Sequence, residues 1–323
     1  MSAPPVSVSP NGPAPPAPPA DKRHHPFANP VRNLFVIIFG EFCGTFMFLL
    51  LSFIGAQTAI LTNNPSDPDA GLQPFSLMYI AAAFGTALAV NVWIFYRISG
   101  GMFNPAVTLG LVLVGAVKPL RGLAIFPTQI VAGIAAAAVT HGLLPGPLKV
   151  ANTLGGGINR TQGLFLEMFL TAQLVLTVYF LAVEKHRGTF LAPIGIGISV
   201  FIAHIAATNW TGTSINPARS FGPACIVGFT DYQWIYWLGP FMGSLLAFGA
   251  YTAFKWLEYQ TANPGQDDDG DVERGHHFSV RANDKTMPPG SRLDDIPSPM
   301  NSPTKPRVVR NDSVIDGQIS PGY

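Results

Sequence analysis

The side chains with the clearest chemical meaning are polar groups set into otherwise apolar stretches. Asn104 and Asn216 each open a triplet, Asn104-Pro105-Ala106 and Asn216-Pro217-Ala218, while Glu41, Glu167, Gln129, His204 and Arg219 stand in runs with almost no other charge. An amide at a helix start is a hydrogen-bond donor placed in the positive field of aligned peptide dipoles. It can hold a polar solute, but it does not by itself break a bond. An Arg inside a membrane-length apolar region is costly and functional by default. The two carboxylates invite a proton-relay reading, yet no chain of further acidic groups exists to pass a proton on, so Glu41 and Glu167 read as acceptors of hydrogen bonds from neighbouring loops. No nucleophile–base pair, phosphate-binding loop, metal-ligand cluster or energy-coupling motif is present. The reading is therefore against an enzyme, a pump, and any cofactor or metal.

These groups need elements to position them. Asn is a strong N-cap and Pro is favoured at the first helical position, so each triplet starts a helix. The apolar run after each lasts two or three turns, about half of the ~20 residues a membrane span needs. Irregular backbone at membrane depth is tolerated only inside protein or against water, so two capped half-length helices imply a water-lined cavity. One Asn-Pro would read equally well as a turn. Two, separated by 112 residues and in corresponding places of two halves, do not.

Charge shows which part of the chain lies in the membrane. Residues 34–257 hold 15 of the 37 charged side chains, and the remaining 22 crowd into tails totalling 99 residues. Six apolar spans are predicted: 33–61, 75–96, 122–141, 161–183, 189–207 and 234–257. Three precede the Gly- and Pro-rich loop 142–160 and three follow it. An odd number per half turns the second half upside down. The fold class is thus an all-α membrane protein of six transmembrane helices plus two half-helices in an inverted repeat. Its channel domain covers 33–258, with repeats 33–141 and 161–258, between tails 1–32 and 259–323. Lys22, Arg23, Arg32, Arg97, Lys185 and Arg187 fall on one side, while loop 62–74 has no Lys or Arg and loop 142–160 has two. By the positive-inside rule both termini are cytoplasmic. Gly40 with Gly44, and Gly239 with Gly243, suit close helix crossings. Cys43 and Cys225 read as small buried hydrophobes. The net charge of +1 gives no reason to expect a nucleic-acid partner.

Taken together, the two Asn-Pro-Ala loops, Glu41, Glu167, Gln129 and the run Ala218-Arg219-Ser220-Phe221-Gly222 resemble the aquaporin (major intrinsic protein) family over about residues 34–257. The resemblance implies an aquaporin-like right-handed six-span bundle, a homotetramer with one pore per subunit, and a passive water channel in a lipid bilayer, with the plasma membrane as its expected place. It also implies a filter of Phe84, His204, Thr213 and Arg219: twenty residues before the first Asn, twelve and three before the second, and three after it. That set is similar to orthodox, water-selective members, including fungal ones. Glycerol-conducting relatives usually have Gly at the position of His204 and Asp at that of Ser220. Ser220, Ala224, Tyr236 and Trp237 look like the water-channel set; Met102, where many members have His, departs from the common pattern. The implied chemistry is a single file of water in which both Asn amides engage one oxygen, while the opposed helix N-termini and Arg219 repel cations and hydronium.

Outside the core, residues 1–30 contain ten prolines and read as disordered or polyproline-like. The segment 22–32, with His24, His25, Phe27 and Pro30, reads either as a gate over the pore mouth or as a passive tether. Asp267-Asp268-Asp269 reads as a solvated acidic run, and the Ser-Pro pairs at 298, 302 and 320 as candidate phosphorylation sites. Asn159-Arg160-Thr161 is a candidate glycosylation sequon in the outer loop. Two other functions stay open at this point: a channel for glycerol or small neutral solutes, and a closed-pore junction or adhesion protein.

Overall fold

The computed structural model describes residues 29–63, 71–186 and 188–263. All of these belong to the first of two compact units, which divide after Asp267. Residues 1–28, Arg187, Asp267-Asp268-Asp269 and the three Ser-Pro pairs lie outside the described residues, as does the expected gating segment up to residue 28.

Eight α-helices carry the described residues, and no strand occurs among them. They are α1 (Asn29–Thr62), α2 (Pro74–Phe95), α3 (Pro105–Leu113), α4 (Pro119–Leu143), α5 (Arg160–Val178), α6 (Ala192–Thr211), α7 (Pro217–Val227) and α8 (Ile235–Trp256). Helices α3 and α7, of 9 and 11 residues, are the two half-length elements, each beginning at the Pro of its triplet. Five elements are long and apolar enough to cross a membrane. The sixth, α8, has 22 residues; its Tyr, Trp, Gly and Pro lower its hydropathy without shortening it.

The three largest boundary differences from the sequence reading have local features beside them. Helix α1 starts at Asn29 rather than 33, with Pro30 in a first turn where its missing N–H leaves nothing unpaired. The span expected at 161–183 is α-helical only to Val178; Tyr179–Val183 form a π turn closed by Glu184 N donating to Tyr179 O at 2.9 Å. Helix α6 runs past Ala207 to Thr211, with Thr208 Oγ1 donating back to His204 O at 2.6 Å, and it ends where Gly212 takes φ 71°.

The two halves use the same contacts. Helix α1 packs on α2 and α4, and α5 packs on α6 and α8. Each half-helix lies against the last span of the other half, α3 on α8 and α7 on α4, and α2 meets α6 where the halves join. Small residues permit these crossings. Ser244 on α8 donates to Ala106 O of α3 at 2.7 Å, so a half-helix carbonyl is satisfied across the repeat. At the α2–α6 crossing a Cβ on Gly197 would stand 2.5 Å from Gly85 O, and one on Gly85 would stand 2.8 Å from Gly197 O. Backbone cannot yield to a methyl group as a flexible side chain does. Gly197→Ala is therefore expected to lower stability by about 1–3 kcal/mol, read as a lower thermal midpoint of the detergent-solubilised protein. An unchanged midpoint would mean that the crossing can open.

Cys43 is half-buried and Cys225 exposed, so the expectation that both are buried is corrected. Cys225 falls in the last turn of α7, beyond its buried face.

Candidate functional site

The stretches before the two half-helices have left-handed backbone at non-glycine residues, with φ of 51° at Phe103 and 46° at Ile215. Such conformations cost free energy, more so at a β-branched residue, and persist only where neighbours impose them. Here the neighbours are the buried carboxylates. Glu41 accepts from Met102 N (3.1 Å), Phe103 N (3.0 Å), Ser99 Oγ (2.7 Å) and Gln129 Nε2 (3.0 Å). Glu167 accepts from Ser214 N (2.8 Å), Ile215 N (2.7 Å) and Thr211 Oγ1 (2.6 Å). Both are fully buried. Gln129 also donates to Thr108 Oγ1 at 2.9 Å, tying α4 to α3.

With the loops held, the two Asn side chains meet. Asn104 Oδ1 accepts from Ala106 N at 2.9 Å, and Asn216 Oδ1 from Ala218 N at 3.0 Å, so each caps its own helix. Asn104 Nδ2 donates to Ile215 O at 2.7 Å, and Asn216 Nδ2 to Phe103 O at 2.9 Å. These reciprocal bonds place the two helix N-termini face to face. Each amide nitrogen carries two hydrogens, so one remains on each for a third group. Both Asn side chains line a cavity of about 500 Å³.

One wall of that cavity is apolar, with Leu88, Val92, Leu174, Val178, Ile196 and Val200. The facing wall is the backbone and polar side chains of the loops, with Gly100, Gly101, Met102, Ser214 and Ile215. Phe84, His204 and Arg219 also line it. The Phe84 and His204 rings stack with centroids 4.0 Å apart, and the Arg219 guanidinium carbon is 5.2 Å from the Phe84 centroid and 5.7 Å from that of Phe53. His204 Nδ1 lies 2.9 Å from Val200 O. A carbonyl only accepts, so Nδ1 carries the hydrogen and a neutral ring leaves Nε2 as an acceptor; it has no partner among the described residues. Arg219 Nη1 donates to Val150 O (2.8 Å) and Nη2 to Gly212 O (3.1 Å), while its buried Nε has none. An unused acceptor and an unused donor thus lie buried in the wall of one cavity.

Thr213 stands apart from this group. It is fully buried, does not line the cavity, and its hydroxyl lies 3.1 Å from Thr208 Oγ1. Ser220 Oγ donates to Asn152 Oδ1 at 2.8 Å, also behind the wall. Asn159 is the N-cap of α5, in a capping box with Gln162, and Thr161 of its sequon is already helical.

Sequence reasoning missed the inward fold of loop 144–159. Gln57 on α1 binds Pro147 O (2.9 Å) and Lys149 N (2.8 Å), Asn152 Nδ2 donates to Thr211 O at 3.1 Å, and Val150 O receives Arg219. Val150 acts through its carbonyl, which leaves no trace in residue type. Arg121, which lines the far end of the cavity, was also passed over.

Comparison with known proteins agrees with this geometry. The family model described as major intrinsic protein matches residues 32–251. The chain is 68% identical over 296 residues to a protein named Aquaporin-1 from Gibberella zeae, covering 91% of each. It is 53% identical over 243 residues to Aquaporin-7 of Botryotinia fuckeliana, covering 74% of this chain and 54% of that one. Among solved structures it resembles the aquaglyceroporin from Plasmodium falciparum, with a TM-score of 0.57 over 68% of this chain and 95% of that one. At 20% identity that likeness bears on the fold alone. With opposed half-helices, paired Asn caps and a family match across its whole helical bundle, this chain belongs to the major intrinsic protein family, the multi-pass membrane channels that include the aquaporins, and is not an enzyme.

Proposed function

We propose that the chain is a passive water channel that excludes ions, protons and glycerol. The observation that carries this reading is the group of Phe84, His204 and Arg219, whose stacked rings narrow the passage beside one unused acceptor and one unused donor. A water molecule offers both complements within the space of a single oxygen. Glycerol brings three carbons and needs width that an imidazole stacked on Phe84 occupies. At the Asn pair, the remaining amide hydrogens would both point at one water oxygen. A water held that way donates to its neighbours on either side and relays no proton.

The cavity end bearing Arg121 and Lys185 faces the cytoplasm in this reading, with both termini, in agreement with the bias of Lys and Arg. The bilayer is proposed to be the plasma membrane. The working unit is a homotetramer: Gln173 is exposed in the middle of α5, and a polar amide at that depth is better placed against another subunit than against hydrocarbon.

The test is osmotic shrinkage of proteoliposomes after a sucrose step, followed by light scattering, with glycerol uptake measured beside it. Fast shrinkage without glycerol uptake is expected, and a rate equal to empty vesicles would remove the reading. His204→Gly is expected to admit glycerol at a rate about tenfold or more above the parent. If it did not, the width of the passage would be set elsewhere. A chain beginning at residue 29 tests gating by the N-terminal tail in the same assay.

A further inference from the structure

The end of the cavity opposite the filter is lined by Tyr96, Ser99, Gly100, Gly101, Arg121 and Lys185. Its two cations flank a single turn. Arg121 Nη2 donates to Ser99 O at 2.5 Å. Lys185 Nζ donates to Tyr96 Oη at 3.0 Å and to Ala182 O at 2.8 Å. Between them the turn carries Gly100 and Gly101 at φ 109° and 66°, conformations that favour glycine and leave the backbone uncovered by any Cβ.

Neither cation meets a carboxylate among the described residues, where the ion pairs are Arg160 with Asp231 and Lys255 with Glu184. Arg121 Nε is buried and has no hydrogen-bond partner there. The positive-inside bias accounts for cations on this face. It does not account for two of them lining one opening with only neutral oxygens as partners. Two like charges lining one opening repel each other and attract a multivalent anion. A guanidinium offers a planar fork that fits two phosphate oxygens, and an ammonium adds a point charge.

We propose that this mouth is a binding site for a phosphate-bearing anion, bridged by Arg121 and Lys185, and that occupancy obstructs water flux. The ligand class is a polyphosphate, supplied either free in solution or as the headgroup of a membrane lipid. The binding stands on the geometry of the mouth, whereas its effect on flux rests on the water-channel reading.

The experiment has two arms on the full chain. In the first, pyrophosphate is titrated by calorimetry into protein held in neutral-lipid nanodiscs, with sulfate at matched ionic strength to separate binding from screening. In the second, shrinkage of proteoliposomes is timed with and without pyrophosphate on both faces, and again with phosphatidylinositol 4,5-bisphosphate in the bilayer. Saturable pyrophosphate binding is expected, weakened about tenfold by Lys185→Gln or Arg121→Gln, and slowing of flux that Lys185→Gln relieves. Lys255→Gln, whose cation pairs with Glu184, should change neither. Slowing by the lipid alone would assign the headgroup as source, still with dependence on Lys185. Arg121→Gln also removes the bond to Ser99, so Lys185→Gln carries the result should that variant fail to fold. If neither phosphate source gives an effect that depends on Lys185, the site is refuted. Flux without added phosphate decides the channel reading separately: its absence beside intact binding would overturn that reading and leave the site standing.

Discussion

Glu167→Ala is expected to be among the most damaging single substitutions in the chain, leaving little monodisperse protein and a sharply lower thermal midpoint. The carboxylate takes Ser214 N, Ile215 N and Thr211 Oγ1 at 2.6–2.8 Å, and no water reaches it at full burial. Removing it strands two backbone donors and a hydroxyl. Each buried unsatisfied group costs about 1–3 kcal/mol, so the sum over the three is about 3–9 kcal/mol before the strain at Ile215, φ 46°, is counted. That strain matters for function as well as stability. Without the bond to its N–H, Ile215 can relax from the left-handed region, and its carbonyl then leaves Asn104 Nδ2, 2.7 Å away. The Asn104 amide would lose the bond that aims its second hydrogen. Thr211→Val, which removes one of the three donors and the acceptor of Thr213 N (3.2 Å) but leaves the carboxylate, should cost less, about 1–3 kcal/mol. Fluorescence-detected gel filtration and a melting curve on the two variants make the comparison. Equal midpoints for Glu167→Ala and Thr211→Val would show that the carboxylate does not brace the loop.

How much of this could be read beforehand depended on whether a role resides in a side chain or in the backbone. Asn-Pro at 104–105 and at 216–217 combines a capping residue with a fixed φ, and both half-helices start where that chemistry puts them. The six spans followed from apolar length. Their ends did not, because features such as the π turn at Tyr179–Val183 depend on local hydrogen bonds that composition does not express. Phe84, His204 and Arg219, drawn from α2, α6 and the first turn of α7, could be grouped only by resemblance to a family, since nothing in their spacing along the chain shows that α2 and α6 cross at a pair of glycines. The inward fold of loop 144–159 was illegible. Apart from the Asn152 side chain, its anchors are backbone groups, the carbonyls of Pro147 and Val150 and the N–H of Lys149, which nearly any residue supplies. Thr213 is the reverse case: its position fits the family's pattern, but the residue is buried away from the cavity, with its hydroxyl 3.1 Å from Thr208 Oγ1.

Arg219→Val is expected to convert a water pathway into one that also leaks cations and protons. The guanidinium has its two Nη groups on the carbonyls of Val150 and Gly212 and lies over the Phe84 and Phe53 rings. None of these partners carries a charge, and the Glu167 carboxylate, which also interacts with Arg219, sits behind the loop with its oxygens taken by Ser214 N, Ile215 N and Thr211 Oγ1, so a net positive field remains at the passage that Arg219 lines. A monovalent cation about 4 Å away meets roughly 4 kcal/mol of repulsion at an effective dielectric near 20. Since about 1.4 kcal/mol is a factor of ten, removing that barrier should raise cation conductance by about a hundredfold or more, with water flux retained. Arg219→Lys separates charge from scaffold. An ammonium keeps the repulsion but cannot reach both carbonyls as a planar fork does, so that variant should stay tight to cations while melting at a lower temperature. The two are compared by the decay of an imposed pH gradient and by sodium flux in the vesicles used for osmotic shrinkage. Leakage in Val alone assigns exclusion to the charge, and leakage in both assigns it to the shape that the fork maintains. Were neither to leak, the barrier would lie at the paired Asn caps, where two helix N-termini oppose each other and add their positive ends.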